Sequence, residues 1–414
     1  MAGIDSHPSR AQDALPAFFG VVAAWFIPHG LQLVLFPWLL AVYLHLPPDL
    51  VGVGQSALQL PGLFLALLAG SLADRWDTRR LIIRLHLFAM VPPLCLAAVI
   101  WGGGFSFPVL LGYALVMGSI LSFVNPTRDA MLAVVARGNL QRIVTGTTGV
   151  QFGVQIIGYG IAMLAGVTGP APLLLVQGVL VSAGAFLARR LPERPPRPAN
   201  DSPSSLVQEV VDGLRLALRS SSIAPVLLLS FCGSVLYLGS FFVLIPVLIR
   251  DVYHGGAREI GLTNIAFMAG TILMTVLMLR VGGIRRRGRA YMLANLWGAG
   301  FALLVISRSV PFGVMVLMLG VWGAAAGVGM SMSRTILQEH TPESHRARIF
   351  SIYQLCFMAG GPVGSVTMGY LVKLFGPVQA ALLPPLGMAV VVTMVYRRTG
   401  LWHIDEPNEP AASG

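Results

Sequence analysis

Long apolar runs and short polar stretches alternate along the whole chain of 414 residues. Each run is about 20 residues long, which is enough for a helix to cross the hydrocarbon core of a bilayer. In lipid every backbone group must be hydrogen-bonded internally, so such runs form helices rather than open sheet. The pattern therefore predicts an all-α membrane protein with twelve transmembrane helices. The predicted spans are 17–43, 50–73, 82–101, 107–127, 143–166, 172–188, 223–249, 260–279, 290–307, 312–333, 349–372 and 379–396.

Positive charge falls almost entirely on one side of these spans. With the N-terminus in the cytoplasm, 24 of the 28 Lys and Arg residues lie on the cytoplasmic side. The four on the other side are Arg250, Arg258, Arg308 and Lys373. Because cytoplasmic loops carry the excess of Lys and Arg, residues 1–16 and 399–414 are predicted to be the cytoplasmic tails of a multi-pass membrane protein.

The composition changes this picture in three ways. The net charge of +11 would favour nucleic acid as a partner of a soluble protein, but here it lies in loops between spans, so no nucleic-acid partner is expected. The polar first fifteen residues precede a long apolar run without a small-residue cleavage site, which is interpreted as a retained first helix. The three cysteines lie in apolar runs and are interpreted as packing thiols, so no metal site and no cofactor are predicted.

A proline-rich, charged stretch at 191–222 interrupts the pattern half-way along the chain. Ser205 and Gln208 have the spacing of a capping box, and an apolar stripe at helical spacing follows. The stretch is interpreted as a cytoplasmic linker with an amphipathic helix at the membrane surface; the alternative is a disordered tether. It separates an N-terminal six-helix bundle, 17–190, from a C-terminal one, 223–398.

The two predicted bundles carry a trace of internal repetition. A shift of 206 residues superimposes four pairs of identical residues that have the same place in each half. The pairs are Arg128 with Arg334, Arg142 with Arg348, Ile143 with Ile349, and Gly158 with Gly364. Their agreement with the helix count favours a parallel duplication.

The connector between the second and third spans carries a distinctive motif, which runs from Gly70 to Arg80 and reads GSLADRWDTRR. It resembles the signature loop G-x-x-x-D-R-x-G-x-R-R of the major facilitator superfamily. The residues on that pattern are Gly70, Asp74, Arg75, Arg79 and Arg80. Asp77 replaces the second Gly, so a turn of different shape is expected there. The alternative is an ordinary loop of the positive-inside kind.

The resemblance implies that these five residues form a conformational gate. In the superfamily, the acidic residue at the place of Asp74 approaches the start of helix eleven when the cytoplasmic side is shut. The corresponding loop of the second half, from Arg285 to Arg289, reads RRRGR and lacks the acidic residue that the family often keeps there. A charge lock in the second half is therefore unsupported by the sequence.

Three further motifs resemble one branch of the superfamily, the bacterial exporters that include the enterobactin exporter. They are Asn125-Pro126-Thr127-Arg128 at the close of the fourth span, Leu244-Ile245-Pro246-Val247 with Arg250-Asp251-Val252 at the seventh, and Thr341-Pro342-Glu343 with Arg346, Arg348 and Ser351-Ile352-Tyr353 at the eleventh. The resemblance covers nearly the whole chain. It implies two bundles that rock about a central site and expose it alternately to each side of the membrane.

No catalytic motif is found, and all 17 carboxylates, Asp129 included, are predicted at or near loops and helix ends. His29 is then the titratable side chain nearest mid-membrane, next to Pro28, where the helix is expected to be distorted. Histidine titrates near neutrality, and an ionisable residue at this depth is a functional hypothesis by default. His29 is therefore the proton-coupling candidate; the alternative is a neutral histidine bonded to a nearby carbonyl.

Polar side chains on the predicted helices are candidates for lining a central substrate cavity. They are Gln32, Gln55, Gln59, Ser122, Asn125, Gln151 and Gln155 in the first half and Tyr237, Asn264, Ser331, Tyr353 and Gln354 in the second. In the superfamily, the helices that carry them border the cavity. For each residue alone, the alternative is an interhelical hydrogen bond, worth about 0.6 kcal/mol in membranes. Trp25 is the aromatic candidate, and its ring would suit an amphipathic substrate or lipid equally well.

The sequence and the resemblance together predict a secondary active transporter and not an enzyme. The expected activity is proton-coupled efflux of a small amphipathic molecule, such as a drug-like compound or a siderophore, by a monomer in the lipid bilayer. A facilitator without coupling stays open. The alternatives are a lysophospholipid transporter and a transport-inactive membrane sensor with the same fold.

Overall fold

The computed structural model describes residues 14–136, 140–193, 214–215, 217–218, 220–281 and 284–404, and these contain helices and no strand. Within them, the side chains of 66–68, 70–75, 140–142, 344 and 347 lie outside the description. The long helices are α1 Leu15–Tyr43, α2 Pro48–Arg75, α3 Thr78–Trp101, α4 Phe107–Val135, α5 Leu140–Ala162, α6 Pro170–Ala188, α7 Ile223–Asp251, α8 Ala257–Val281, α9 Arg287–Ile306, α10 Phe312–His340, α11 Arg346–Phe375 and α12 Pro377–Arg398. In this described part, eleven are long and apolar enough to cross a membrane. The all-α membrane class is confirmed.

The helices α4 and α10 are longer than the sequence predicted. Their predicted ends were residues 127 and 333, but they continue to Val135 and His340. Pro126 lies inside α4, which membrane helices tolerate because neighbouring groups satisfy the freed backbone. Asp129, predicted at the edge of a loop, therefore lies within α4.

The helix α1 passes through Pro28 and His29 as regular α-helix, so the distortion predicted there is absent. A close crossing with α5 supports this part of α1. A Cβ added at Gly158 would collide with Ile27 O and lie 2.9 Å from Gly30 Cα. The turns of α1 widen into π-helix only at Leu39–Tyr43.

Contacts divide the chain into two units. The first unit runs to Leu46, continues from Gly54 into the central linker, and includes Gly255–Gly261. The second contains Pro47–Val53, runs from the linker to His254, and continues from Leu262. Most of the amphipathic helix predicted for the linker lies outside the described residues.

In the second unit, the first turns of α2 pack against the last turns of α11. A Cβ at Gly369 would lie 2.6 Å from Pro48 O, and one at Gly52 would collide with Ser365 O. Lys373 Nζ donates a hydrogen bond to Asp49 Oδ2 at 2.7 Å. The charge pattern placed these two ionised residues on the same side of the membrane, and the ion pair agrees with that.

The crossing of α7 and α11 in the second unit repeats the crossing of α1 and α5 in the first. A Cβ at Gly364 would collide with Val235 O, as one at Gly158 would with Ile27 O. Because Gly158 and Gly364 are a pair in the internal repeat, the repeat has a structural counterpart. The α7 helix differs from α1 in widening into π-helix at Ser234–Leu238 and again at Ser240–Leu244.

Candidate functional site

An ion pair lies inside a membrane-spanning helix of the first unit, at Arg128 and Asp129 of α4. Arg128 donates from Nε and Nη2 to Asp129 Oδ1 at 3.1 and 2.9 Å, and from Nη1 to Gln151 Oε1 of α5 at 2.9 Å. The Arg128 side chain is 20% exposed and that of Asp129 61%. Arg128 is seven residues from the end of α4, about 10 Å along the axis. The hydrogen bond to Gln151 joins the pair to a second helix, which makes the pair a functional candidate.

Phe26 of α1 contacts both Arg128 of the ion pair and His29. The guanidinium carbon of Arg128 stands 5.4 Å from the centre of the Phe26 ring. The rings of Phe26 and His29 meet edge to face with centres 6.0 Å apart. His29 Nδ1 is buried and has no hydrogen-bond partner among the described residues, so the alternative of a bond to a carbonyl finds no support at this atom. The predicted coupling residue and the ion pair thus share a contact with one aromatic ring.

An apolar cavity lies beside the ion pair, between α1, α3 and α4. Its lining residues are Phe18, Val21, Val22, Trp25, Phe26, Ile82, Leu85, His86, Val124, Thr127 and Arg128. Trp25 meets His86 edge to face with ring centres 5.4 Å apart, and His86 Nδ1 donates to Val181 O of α6 at 2.8 Å. Trp25 is therefore brought close to the ion pair, as Gln151 is.

Gln32 and Gln155, two other candidates of the first unit, are buried in hydrogen bonds between side chains. Gln32 is 3% exposed and accepts at Oε1 from Gln177 Nε2 of α6 at 3.2 Å. Gln177 Nε2 also lies 3.3 Å from the hydroxyl of Tyr113. Gln155 Nε2 donates to the Tyr159 hydroxyl at 2.9 Å. Gln177 was not among the residues predicted from the sequence, where its only signal is an amide inside the apolar run of α6.

The remaining candidates of the first unit do not join this network in the described contacts. Gln59 Nε2 donates to Gln55 O at 3.2 Å, and Gln55 is 2% exposed. Ser122 Oγ donates to Gly118 O one turn earlier at 2.8 Å. Asn125 is exposed. Their role in a cavity stays a prediction.

Two candidates of the second unit make interhelical hydrogen bonds. The Tyr237 hydroxyl donates to Asn295 O of α9 at 2.7 Å, and the hydroxyls of Tyr353 and Ser333 are 3.0 Å apart. Interhelical hydrogen bonds of this kind are the stated alternative to a cavity-lining role for these two residues. Asn264 is buried, Ser331 is half-buried and Gln354 is exposed, and their role likewise stays a prediction.

In the signature loop, α2 ends at Arg75 and α3 begins at Thr78. Asp77, the residue in place of the family's second Gly, caps α3: Arg80 N donates to Asp77 Oδ1 at 2.7 Å. An aspartate at this position satisfies a free amide of the first helical turn. Arg79 Nη1 pairs with Glu193, beyond the end of α6, at 3.3 Å.

The backbone of Gly70, Asp74 and Arg75 lies in the last turns of α2. The side chains of Asp74 and Arg75 lie outside the described residues. Arg80 is exposed. The predicted gate therefore stays a prediction.

The corresponding loop of the second half has an acidic partner after all. Arg287 forms an ion pair with Glu339 in the last turn of α10. Gly288 N donates to Ile404 O at 3.0 Å, so the segment that follows α12 contacts the start of α9. Arg289 stands 4.8 Å from the ring centre of Trp402 in that segment, and Leu401 is fully buried. The sequence could not reveal this, because the carboxylate comes from a different helix.

The comparison with protein families decides the class of this molecule. A sequence model of the Major Facilitator Superfamily matches residues 15–365 and 253–413. The chain belongs to the major facilitator superfamily. The resemblance carried by the signature loop is thus confirmed, and the relatives in the superfamily are transporters and not enzymes.

Two relatives carry names that describe export. The multidrug efflux pump Tap of Mycobacterium tuberculosis is 26% identical over 360 residues, covering 84% of each chain. The enterobactin exporter EntS of Citrobacter koseri is 27% identical over 418 residues, covering 94% of this chain and 91% of the relative.

Solved structures support the fold at low sequence identity. The nucleoside transporter NupG has a TM-score of 0.73 at 15% identity, covering 93% of this chain and 98% of the other. A D-xylose-proton symporter has a TM-score of 0.73 at 13% identity, covering 94% of this chain and 99% of the other. At such identities the likeness concerns the fold alone.

Proposed function

We propose that the protein exports a small amphipathic molecule across the bacterial inner membrane in exchange for protons. The family and the efflux relatives support export, and the substrate names of Tap and EntS favour a drug-like compound or a siderophore. The observation that carries the coupling is the ion pair of Arg128 and Asp129, which lies inside α4 and is joined through Phe26 to His29.

Protonation at either of two groups would disturb this pair. A proton on Asp129 removes the negative charge that holds Nε and Nη2 of Arg128. A proton on His29 places a second positive charge next to Phe26, the ring that Arg128 also contacts. At a separation of about 10 Å and an effective dielectric constant of about 20, two unit charges interact by about 1.7 kcal/mol. A change of that size shifts a two-state equilibrium more than tenfold.

We infer that transport proceeds by alternating access in a monomer, with a central site whose exposure the proton load controls. The residues of the signature loop, Gly70, Asp74, Arg75, Arg79 and Arg80, would bias the cytoplasmic side toward closure. The polar candidates of both halves would contact cargo in the open states. Both termini are proposed to lie in the cytoplasm, because the charge pattern favours that orientation.

Transport by purified protein in proteoliposomes, with an imposed pH gradient, tests the proposal. The assay measures gradient-dependent movement of a lipophilic dye, a catecholate siderophore and a lysophospholipid. We expect the dye or the siderophore to move against its gradient when protons flow the other way, and a protonophore to abolish this.

Other results would contradict the proposal in distinct ways. Movement of the lysophospholipid alone would identify the cargo as a lipid. Movement down the cargo gradient that ignores pH would indicate a facilitator. An absence of all transport, in protein whose folding is verified, would favour a sensor.

A further inference from the structure

Three helices of the second unit place an aromatic side chain at one level of the membrane. These side chains are Phe241 of α7, Phe267 of α8 and Trp322 of α10. Each lies ten residues from the end of its helix on the same side of the bundle, which is the end of α7 and the start of α8 and α10. At 1.5 Å per residue each side chain is about 15 Å along its helix from that end. With Tyr237 and Phe242 of α7 they form the aromatic cluster.

Phe241 is the centre of the aromatic cluster. Its ring centre is 4.8 Å from that of Phe267, 5.8 Å from that of Trp322 and 5.4 Å from that of Phe242. The contacts with Trp322 and Phe242 are edge to face. The ring of Tyr237 meets Trp322 at 5.9 Å in the same manner. Edge-to-face packing leaves the negative face of one ring in each pair available to a further group.

The backbones of α8 and α10 touch where the cluster forms. A Cβ at Gly323 would collide with Phe267 O, and Thr271 Oγ1 of α8 donates to Gly323 O at 2.9 Å. No ring can lie between helices in such contact. The rings of Phe267 and Trp322 therefore extend past the crossing and meet Phe241 of α7.

The α7 helix departs from α geometry where it supplies the cluster. Tyr237 lies in the π-helix Ser234–Leu238, and Phe241 and Phe242 lie in the π-helix Ser240–Leu244. Such widened turns are frequent at functional sites. Tyr237 is 8% exposed and Trp322 5%, while the three phenylalanines are only half-buried. The buried rings thus position the half-buried ones, which keep part of their surface uncovered by other described residues.

The cluster offers negative potential without a carboxylate. Within the described α7, α8 and α10, the acidic residues are confined to the helix ends, at Asp251, Glu259 and Glu339. The Tyr237 hydroxyl is engaged with Asn295 O. Ring faces attract cations, by about 2 kcal/mol or more when the pair is desolvated, and they repel anions of equal shape.

We propose that the aromatic cluster is a cargo subsite that binds an aromatic organic cation. This inference rests on the proposed export function and names the class of its cargo. The half-buried rings of Phe241, Phe242 and Phe267 contact the cargo, and Tyr237 and Trp322 hold them in place.

The test is equilibrium binding to purified protein in lipid nanodiscs, without any gradient. The probe is tetraphenylphosphonium, and tetraphenylborate is the control of matched shape and opposite charge. We expect the cation to bind at least about tenfold more tightly than the anion after correction for partition into empty nanodiscs. Phe241→Leu should weaken cation binding about fivefold, whereas Phe241→Tyr, which keeps an aromatic ring, should bind the cation within about twofold of the parent protein.

Phe312→Leu is the matched control. Phe312 pairs with Tyr253 at a ring distance of 5.6 Å at the first residue of α10, outside the cluster, and its loss should leave binding unchanged. If Phe241→Leu fails to fold, Phe242→Leu provides the same comparison. Equal binding of anion and cation, or equal effects of Phe241→Leu and Phe312→Leu, would overturn the subsite.

Binding and transport fail independently in this design. Cation binding by the nanodisc protein with no gradient-driven transport would refute export and leave the subsite standing. Gradient-driven transport of a dye, together with equal binding of the cation and the anion, would refute the subsite and leave export standing.

Discussion

Arg128 and Arg334 occupy equivalent places in the two halves of the chain, but their surroundings differ. Arg128 is held by Asp129, Gln151 and the ring of Phe26. Arg334 is exposed, and its neighbour Thr335, in the place of Asp129, donates to Ser331 O at 3.0 Å. The same position in the same fold thus carries a polar network in one unit and a surface charge in the other.

The difference extends to the interior of each unit. The first unit gathers ionisable groups, His29, Arg128 and Asp129, around one ring of α1. The second gathers rings around Phe241, with charge confined to the ends of α7, α8 and α10. A charged side chain is tolerated between helices only where partners satisfy it. Arg128 is 20% exposed and Arg334 is exposed, so only Arg128 needs such partners. We infer that the groups that respond to protons lie in the first unit and that the aromatic part of the cargo site lies in the second.

The largest effect is expected from breaking the ion pair. Arg128→Gln and Asp129→Asn should each lower gradient-driven transport more than about tenfold, because each removes one partner of the ion pair on which the proposed coupling depends. Arg334→Gln should keep it within about twofold, since exposed charges contribute little. Proteoliposome transport is the measurement. Equal losses at Arg128 and Arg334 would show that the two arginines are equivalent after all.

Removal of the second titratable group should have a more selective effect. His29→Gln cannot take up a proton but is close in size and can still form hydrogen bonds. We expect the variant to fold and bind cargo, and to lose most of the dependence of transport rate on pH. A pH profile identical to that of the parent would remove His29 from the coupling mechanism.

A smaller shift is expected at the signature loop, where the first half has an acidic residue and the second has none. Asp74→Asn keeps the shape and loses the charge that would interact with the start of α11, worth up to about 2 kcal/mol. We expect a shift toward the inward-open state and transport about fivefold slower. Distances between spin labels on the cytoplasmic ends of α2 and α11 measure the shift. An unchanged distance distribution would make Asp74 a surface charge only.

The smallest effects are expected on stability, from breaking the two loop ion pairs, and they should differ between the pairs. The Arg79–Glu193 pair is 29% and 64% exposed, whereas Arg287–Glu339 is 14% and 27% exposed. Glu339→Gln should therefore destabilise the protein by about 1 kcal/mol, and Glu193→Gln by at most about 0.5 kcal/mol. Reversible unfolding of the purified variants measures both. A larger loss at Glu193 would reverse the order that burial predicts.

The sequence predicted the helices and the family because both depend on local patterns. Apolar runs of spanning length and the spacing of Gly70, Asp74 and Arg75 are visible without a structure. The end of the fourth span was predicted at residue 127, but a proline such as Pro126 is tolerated inside membrane helices, and α4 continues to Val135. That error moved Asp129 into a loop and hid the ion pair.

Long-range partners were not predictable from local spacing. Glu339 lies 52 residues from Arg287, and Gln177 lies 145 residues from Gln32. The aromatic cluster was unpredictable for the same reason. Its rings come from three helices, which are brought together by glycine contacts such as Gly323 against Phe267 O. Local sequence supplies such residues but does not indicate which of them meet.

The segment after α12 sets a practical limit on how the protein can be handled. Ile404 accepts a hydrogen bond from Gly288 N, and Leu401 is fully buried. Trimming the chain to Arg398 would strip an apolar side chain and a ring from the start of α9. An affinity tag or fluorescent fusion should therefore be joined beyond residue 404 through a flexible spacer, or placed at the N-terminus. If a shorter version loses activity, the cause is the missing contact between residues 401–404 and the start of α9, and the loss carries no information about cargo or protons.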